Sequence, residues 1–370
     1  MTDVTQNGYR LQPYTLTGAP LAQIVGYTGL RVAYGERNPG VCIVQTNSER
    51  AAQDWPPFTM LEVYRTVEGI TYLEGDRIWY LLDQEDYYDE SGQRGQRLYF
   101  YDMNTILAHR YVLYAAGSEQ ADKTDQCDDM LKEIIRDNLG RDVTVAAREV
   151  AGLLVAANLS ACASVSKAFA WRNCLEVMRE ICQQSLEDTT TPLYLTWDFV
   201  RDGIGTQTFH TYTGQRGTNR GQTSGQRLGL TWENGGLKSP SLIYARYGSA
   251  NHVTAGGQGE EALRYTKTVD ATPAATGITR LETFVDARNC VDNTDVDSEA
   301  LAEFAARQPR YKFTAQLGET TNRRYGYDVH YGDLVSVSFG GYDFDAHLDA
   351  VSITLDGDGN ETLSIGLRNE

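Results

Sequence analysis

Asp343, Asp345, His347 and Asp349 occupy every second position of the stretch YDFDAHLDA. On a β-strand that spacing puts three carboxylates and an imidazole on one face, donor types able to hold a metal ion. A solvated polar face accounts for the same pattern without an ion, because Phe344, Ala346 and Leu348 complete an apolar face opposite. No metal site is assigned on this evidence. The turn DGDGN at 356–360 has the alternating acids of a calcium loop, yet its twelfth position is Leu367, where such a loop needs glutamate. It reads as a hairpin turn.

Paired acids such as Asp86 with Asp89, or Asp343 with Asp345, are the residue type that glycoside hydrolases use. With 50 acids in 370 residues, however, such pairs arise by chance. The HExxH, GxSxG and GxxxxGK[ST] signatures are absent, and the five histidines (109, 210, 252, 330 and 347) lie far apart. The sequence therefore assigns no catalytic residue and no cofactor.

Charge narrows the function further. A formal net charge of −17 argues against a general nucleic-acid-binding surface, which clustered Lys and Arg would have to supply. The start, MTDVTQNGYRLQ, lacks a basic segment followed by an apolar one, so no signal peptide is expected. The most apolar run, Val150 to Val165, is broken by Asn158 and serines and falls short of the ~20 apolar residues of a membrane helix. A soluble protein made in a cytoplasm is expected. Six scattered cysteines without CxxC spacing read as buried reduced thiols. The 23 tyrosines suit strands and also subunit interfaces.

These residues need elements to position them. Residues 20–115 read as strands, with short aromatic segments such as RIWYLL. From Thr124 the apolar positions recur at three and four up to Leu139, predicting a helix capped by Thr124 or Asp125 and stopped by Gly140. A second helix is expected over Ser166 to Glu187, while VTVAAREVAGLLVAANL between them fits strand or helix. Strands return from Pro192, and a short helix is expected over Ser298–Gln308, capped by Ser298. At the C-terminus, Val351, Ile353 and Leu355 match Leu363, Ile365 and Leu367 across a hairpin turn. Apolar residues sit at even numbers before 350 and at odd numbers after it, which predicts a bulge near Ala350.

One stretch stands out against the acidity: HTYTGQRGTNRGQTSGQRLGL, residues 210–230, has five glycines, Arg216, Arg220 and Arg227, and no acid. It is no phosphate loop, since no lysine and no helix pattern follow the glycines. A disordered linker is one reading. The strand-like flanks TFHTYT and RLGLTW favour a long hairpin or arm that presents its arginines to acids of a neighbouring subunit.

Four stretches together resemble the tail-hub proteins of siphoviruses, related to the baseplate hubs of contractile phages and the hub part of secretion-system spikes. They are LAHRYVLYAAGSEQADKTDQCDDMLKEIIRDNLG, FHTYTGQRGTNRG, ANHVTAGGQGEEALRYTKTVD with LETFVDARN, and YGDLVSVSFGGYDFDAHLDAVSITLDGDGNETLSIGL. They span most of residues 106–370; the N-terminal third resembles the family only in strand character. The resemblance implies a mainly β fold with an α+β insertion, with two similar tube-forming β-barrels plus accessory domains assembled as a ring. The segments would be 1–115 (first barrel), 116–190 (α+β), 191–275 (β, carrying the arm 210–230) and 276–370 (linker helix and second barrel).

Three chains would form a pseudo-sixfold ring joining tail tube to tail tip, located in the virion and assembled in the bacterial cytoplasm. Implied partners are two further copies, a distal tail protein or tube ring on one side, and spike or fibre proteins on the other. A tape-measure protein is a candidate occupant of the lumen. No sequence-specific nucleic acid and no membrane segment are expected. A negative channel would let a genome slide through, and Asp343, Asp345, His347 and Asp349 are a candidate lumen face. The chain stops at Glu370, directly after the last hairpin, so wall digestion and receptor recognition are expected of partners. The competing readings are a cell-wall carbohydrate hydrolase and a glycan-binding receptor module using Trp55, Tyr87, Tyr88 and Trp232.

Overall fold

The computed structural model of the chain describes residues 5–6, 8–47, 55–113, 121–169, 171–188, 191–260, 263–288, 290 and 292–369. It is 46% strand and 16% helix, which makes the mainly β class plain.

The N-terminal half builds β1 (Tyr9–Tyr14), β2 (Tyr27–Gly35), β3 (Asn38–Asn47), β4 (Met60–Val67), β5 (Ile70–Leu73), β6 (Trp79–Tyr88) and β7 (Arg94–Tyr101). Their spatial order is β1-β4-β6-β7-β3-β2, with β5 beside β4. The segment before β2 returns to β1, where Ile24 N donates to Leu11 O at 3.1 Å. Alternating Leu30, Val32 and Tyr34, with Cys42 and Val44, fill the interior.

An α+β layer follows, made of α1 (Met103–Ala108), β8 (Ala121–Gln126), α2 (Cys127–Asn138), β9 (Leu153–Val155), β10 (Ser164–Phe169), α3 (Cys174–Glu187), β11 (Leu195–Gly203) and β12 (Thr206–Thr213). Two expectations shift here. Residues 121–126 pair with 164–169 as strands, so the helices start later than Thr124 and Ser166. α3 opens instead at Asn173, whose side chain accepts from Glu176 N. The acidic opening of α2 has a structural use: Asp128 and Asp129 accept backbone N–H groups of residues 159–162 at 2.9–3.3 Å. The layer also extends past 190, because β12 pairs in parallel with β9 and Trp197 and Phe209 join the core of α2 and α3.

The remaining chain gives β13 (Asn219–Arg220), β14 (Gly229–Thr231), β15 (Leu237–Ala245), β16 (His252–Gly256), β17 (Thr266–Asp270), β18 (Glu282–Asp286), α4 (Asn293–Ala306), β19 (Arg310–Leu317), β20 (Leu334–Phe339), β21 (Tyr342–Leu355) and β22 (Glu361–Arg368). Strands β16–β18 and α4 form a small separate unit around Ala255, Ala287, Val296 and Ala300. This unit interrupts the second β half, whose strands come from 219–245 and 310–368 rather than from 276–370 alone. The capping expectation for α4 also moves: Asp292 accepts from Thr294 N and Asp295 N, and Ser298 lies inside the helix, donating to Thr294 O.

The two β halves share one sheet. Val32 pairs with Ile353 and Leu30 with Leu355, so the order runs β3-β2-β21-β22-β19-β15. Along one edge, β21 meets β20 from Tyr342 to His347 and β2 from Ala350 to Leu355. The register shift falls between Leu348 and Ala350, at the expected bulge. The extra residue turns the apolar positions from even to odd numbers, so each partner still receives a buried face. The hairpin also has its expected matches, with Val351 opposite Ile365 and Ile353 opposite Leu363.

Candidate functional site

A cluster of buried charge lies where the first β half, the α+β layer, the 210–230 stretch and the second β half meet. Arg77, 3% exposed at its side chain, pairs with Asp102 at 2.6 Å and with Asp198 at 3.3 Å. Its guanidinium lies over the Tyr34 ring at 4.5 Å and the Tyr331 ring at 5.4 Å. Arg216 completes the set through Asp198 at 2.8 Å and Asp76 at 3.1 Å. Desolvation would strip charge from Arg77, but Asp198, Tyr331 and Asp102 outweigh it and hold the guanidinium cationic. Two arginines and two buried carboxylates thus share one desolvated junction, a geometry that fixes domains relative to one another and offers no free base or nucleophile.

A second polar core lies beside it. Tyr34 Oη donates to Glu74 at 2.5 Å and lies 2.9 Å from Tyr325 Oη. Burial pushes the Glu74 carboxyl above its usual range, and both tyrosines are raised with it. Arg65 of β4 reaches Glu361 of β22 at 2.6 Å, and Tyr9 donates to the same carboxylate. These contacts again bridge the two β halves.

The glycine-arginine stretch forms no projecting hairpin in the chain. It folds back in parallel against β20, pairing Asn219 with Leu334 and Leu230 with Val337. Its basic residues already have acceptors at home. Arg220 Nε stands 3.4 Å from Asp333 Oδ2, and Arg227 Nε donates to Ser336 Oγ at 3.1 Å. Asp333 accepts from Thr218 N at 2.7 Å, and Asp345 accepts from Gln222 N at 2.8 Å. The glycine spacing follows from these carboxylates. A Cβ at Gly217 would lie 2.3 Å from Asp333 Oδ1, and one at Gly221 would lie 2.6 Å from Asp345 Oδ2. The acids beside Arg216 and Arg220 belong to the same subunit, so a bridge to a neighbour is not needed to explain these two arginines.

The four residues read as one polar face are separated by the fold. Asp343 is exposed beside Ser338, and Asp345 is half-buried under Gly221. Asp349 sits at the bulge and pairs with Arg368 at 2.9 Å. His347 is 7% exposed, because Tyr194 of the α+β layer lies flat on it with ring centroids 4.2 Å apart. A wall in which His347 faces solvent is therefore ruled out for this chain. Burial, with Arg368 and Arg37 nearby, brings the imidazole down to about 4. Tyr194 Oη donates to Glu36, whose carboxyl is pushed up to about 7 by burial. Sequence patterning had no means of pairing Glu36 with Tyr194 or Arg77 with Asp198, since these partners lie 158 and 121 residues apart.

The other candidate chemistry has structural employment. Asp86 pairs with Arg94 at 3.2 Å, and Asp89 holds the following turn through Ser91 N and Gln93 N. Trp55 is buried, while Tyr88 and Trp232 are exposed. Among the described residues no group of three or more His, Cys, Asp or Glu side chains is placed to hold a metal ion, and no helix is long and apolar enough to cross a membrane. The cysteines are free, five of them buried and Cys290 half-buried.

Residues 19–367 match the family model described as Siphovirus ReqiPepy6 Gp37-like protein. Among curated proteins no sequence match is found. In fold, the chain is similar to a tail protein from Neisseria meningitidis, with 13% identity, TM-score 0.58, and coverage of 98% of this chain and 97% of that one. A 43 kDa tail protein of prophage MuSo2 from Shewanella oneidensis gives 10% identity, TM-score 0.58, and 97% coverage of both chains. The prophage tail protein gp18 from Listeria monocytogenes gives 9% identity, TM-score 0.52, and coverage of 98% and 94%. At these identities the likeness is one of fold.

Proposed function

The chain belongs to the Siphovirus ReqiPepy6 Gp37-like protein family, and from that membership we propose that it is a structural hub of a phage tail, three copies of which form a ring between tail tube and tail tip. The observation that carries this reading is the shared strand β21. Through it one chain sets two β halves edge to edge in a single sheet, with the Arg65–Glu361 ion pair and the hydrogen bond from Arg77 to Tyr331 tying them together. Three such chains supply six β units around an axis. A ring of that kind needs rigid subunits, and desolvated charge networks rigidify because a misplaced partner leaves a buried charge uncompensated.

The net charge of −17 suits a conduit for nucleic acid, since a negative wall repels phosphates and prevents arrest. In this reading the neighbours are a tube ring or distal tail protein on one side and spike or fibre proteins on the other. The hub itself performs no catalysis. Imaging of the purified chain, with its mass measured by light scattering at micromolar concentration, tests the proposal. The expected result is three copies around a central hole; a persistent single copy without a hole overturns it.

A further inference from the structure

Two of the strand edges that lack a strand partner among the described residues differ in charge. One is β15, the end of the sheet path, which pairs with β19 alone. Beyond its bulge at Ser239–Pro240, Ile243 is 59% exposed, and Tyr244 packs at a tilt against Tyr311, which packs likewise against Tyr342, with ring centroids 4.8 and 4.6 Å apart. Lys238, Arg246, Arg310 and Lys312 lie on this strand, just beyond it or on its neighbour, all exposed and none in an ion pair among the described residues. Arg246 lies instead over the Tyr244 ring at 4.7 Å.

The other edge is the outer part of β6. β6 meets β4 only at Trp79 and Tyr80; from Asp83 to Tyr88 it pairs with β7 alone. The run DQEDYYDE at 83–90 carries five acids and no base, and Tyr88 is 74% exposed. Glu85 and Asp86 pair with Arg97 and Arg94 of β7, while Asp83, Asp89 and Glu90 have no basic partner among the described residues.

We propose that the β15 edge of one copy docks on the acidic β6–β7 hairpin of the next copy. An open edge with exposed Ile and Tyr is a template for strand addition, and proteins that keep one normally cover it. Tyr and Arg are the residues that interfaces favour, and opposite charges select this pairing over edge-to-identical-edge association. A contact between two different surfaces is head-to-tail, and such contacts close into rings when the rotation permits. The inference rests on the ring reading and adds to it the surfaces that join.

Charge reversal in the full-length chain tests it. Arg310→Glu with Lys312→Glu is expected to raise the concentration needed for assembly by at least about tenfold. Adding Asp83→Lys and Asp86→Lys to the same chain is expected to restore assembly, which a purely structural role for Arg310 and Lys312 would not do. Ile243→Lys is expected to weaken assembly independently. If wild type forms the ring and the double variant assembles equally well, or if the fourfold variant gives no recovery, this pairing is overturned while the ring stands. A wild type that remains a single copy removes both.

Discussion

His347 lies flat against Tyr194, with ring centroids 4.2 Å apart and planes 20° from parallel, and Tyr194 donates its hydroxyl to Glu36. This contact clamps the α+β layer onto the sheet where β21 passes from β20 to β2. It also buries two groups whose ionisation the fold opposes in opposite directions.

Glu36 has its folded pKa raised to about 7 from the ordinary 4.5, so between these pH values the folded state holds a proton that the unfolded state has lost. Its contribution is full below about 4.5 and is lost as pH rises towards 7, about 3 kcal/mol at the upper limit. His347 has its folded pKa lowered to about 4 from 6.5, so its contribution is present above 6.5 and lost as pH falls towards 4. Relative to wild type, Glu36→Gln should flatten the loss on the alkaline side, and His347→Phe should flatten the loss on the acid side. Urea midpoints measured from pH 4 to 8 read both slopes; parallel curves for all three proteins would refute the assignment.

Removing the guanidinium at the central junction should be costly. Arg77→Met leaves Asp102 and Asp198 buried together with one cation fewer, and should lose about 3–5 kcal/mol of stability by chemical denaturation. A loss below about 1 kcal/mol would mean that the junction is hydrated.

Arg216 and Arg227 should act on the folding of a single chain, and to different extents. Arg216→Ala leaves Asp198 with Arg77 as its remaining cation and should lose roughly 2 kcal/mol, whereas Arg227→Ala gives up only a hydrogen bond to Ser336 and should lose about 1 kcal/mol or less. Equal effects at the two positions, or effects on assembly alone, would contradict the intrachain role.

Gly217→Ala should cost about 1–3 kcal/mol, because its Cβ would stand 2.3 Å from Asp333 Oδ1 and 2.8 Å from the Asp333 amide nitrogen. Gly225→Ala, with nothing within 4 Å of a Cβ, should be near neutral. Thermal midpoints of the two variants make the comparison.

Deleting Asp349 should abolish folding. The bulge absorbs the parity change between Leu348 and Ala350, and without it Val351, Ile353 and Leu355 would turn away from the core. Soluble expression of the deletion variant with native circular dichroism would refute this.

What could be read from the chain is what local periodicity carries. Alternation fixed the β21–β22 hairpin and its bulge, because a side chain's face on a strand follows from counting by two. The three- and four-residue spacing located the body of α2, although its first turn was misplaced: residues 121–126 have a strand partner 38–48 positions away, and that pairing outweighed the capping signal. Tertiary structure alone decided the rest. It brought Arg77 to Asp198, laid Tyr194 over His347, and gave Arg216 and Arg220 acids from their own subunit. The cause is physical: a charge or a polar ring takes whichever partner the packed backbone delivers, and sequence spacing holds no record of a neighbour more than a hundred residues away.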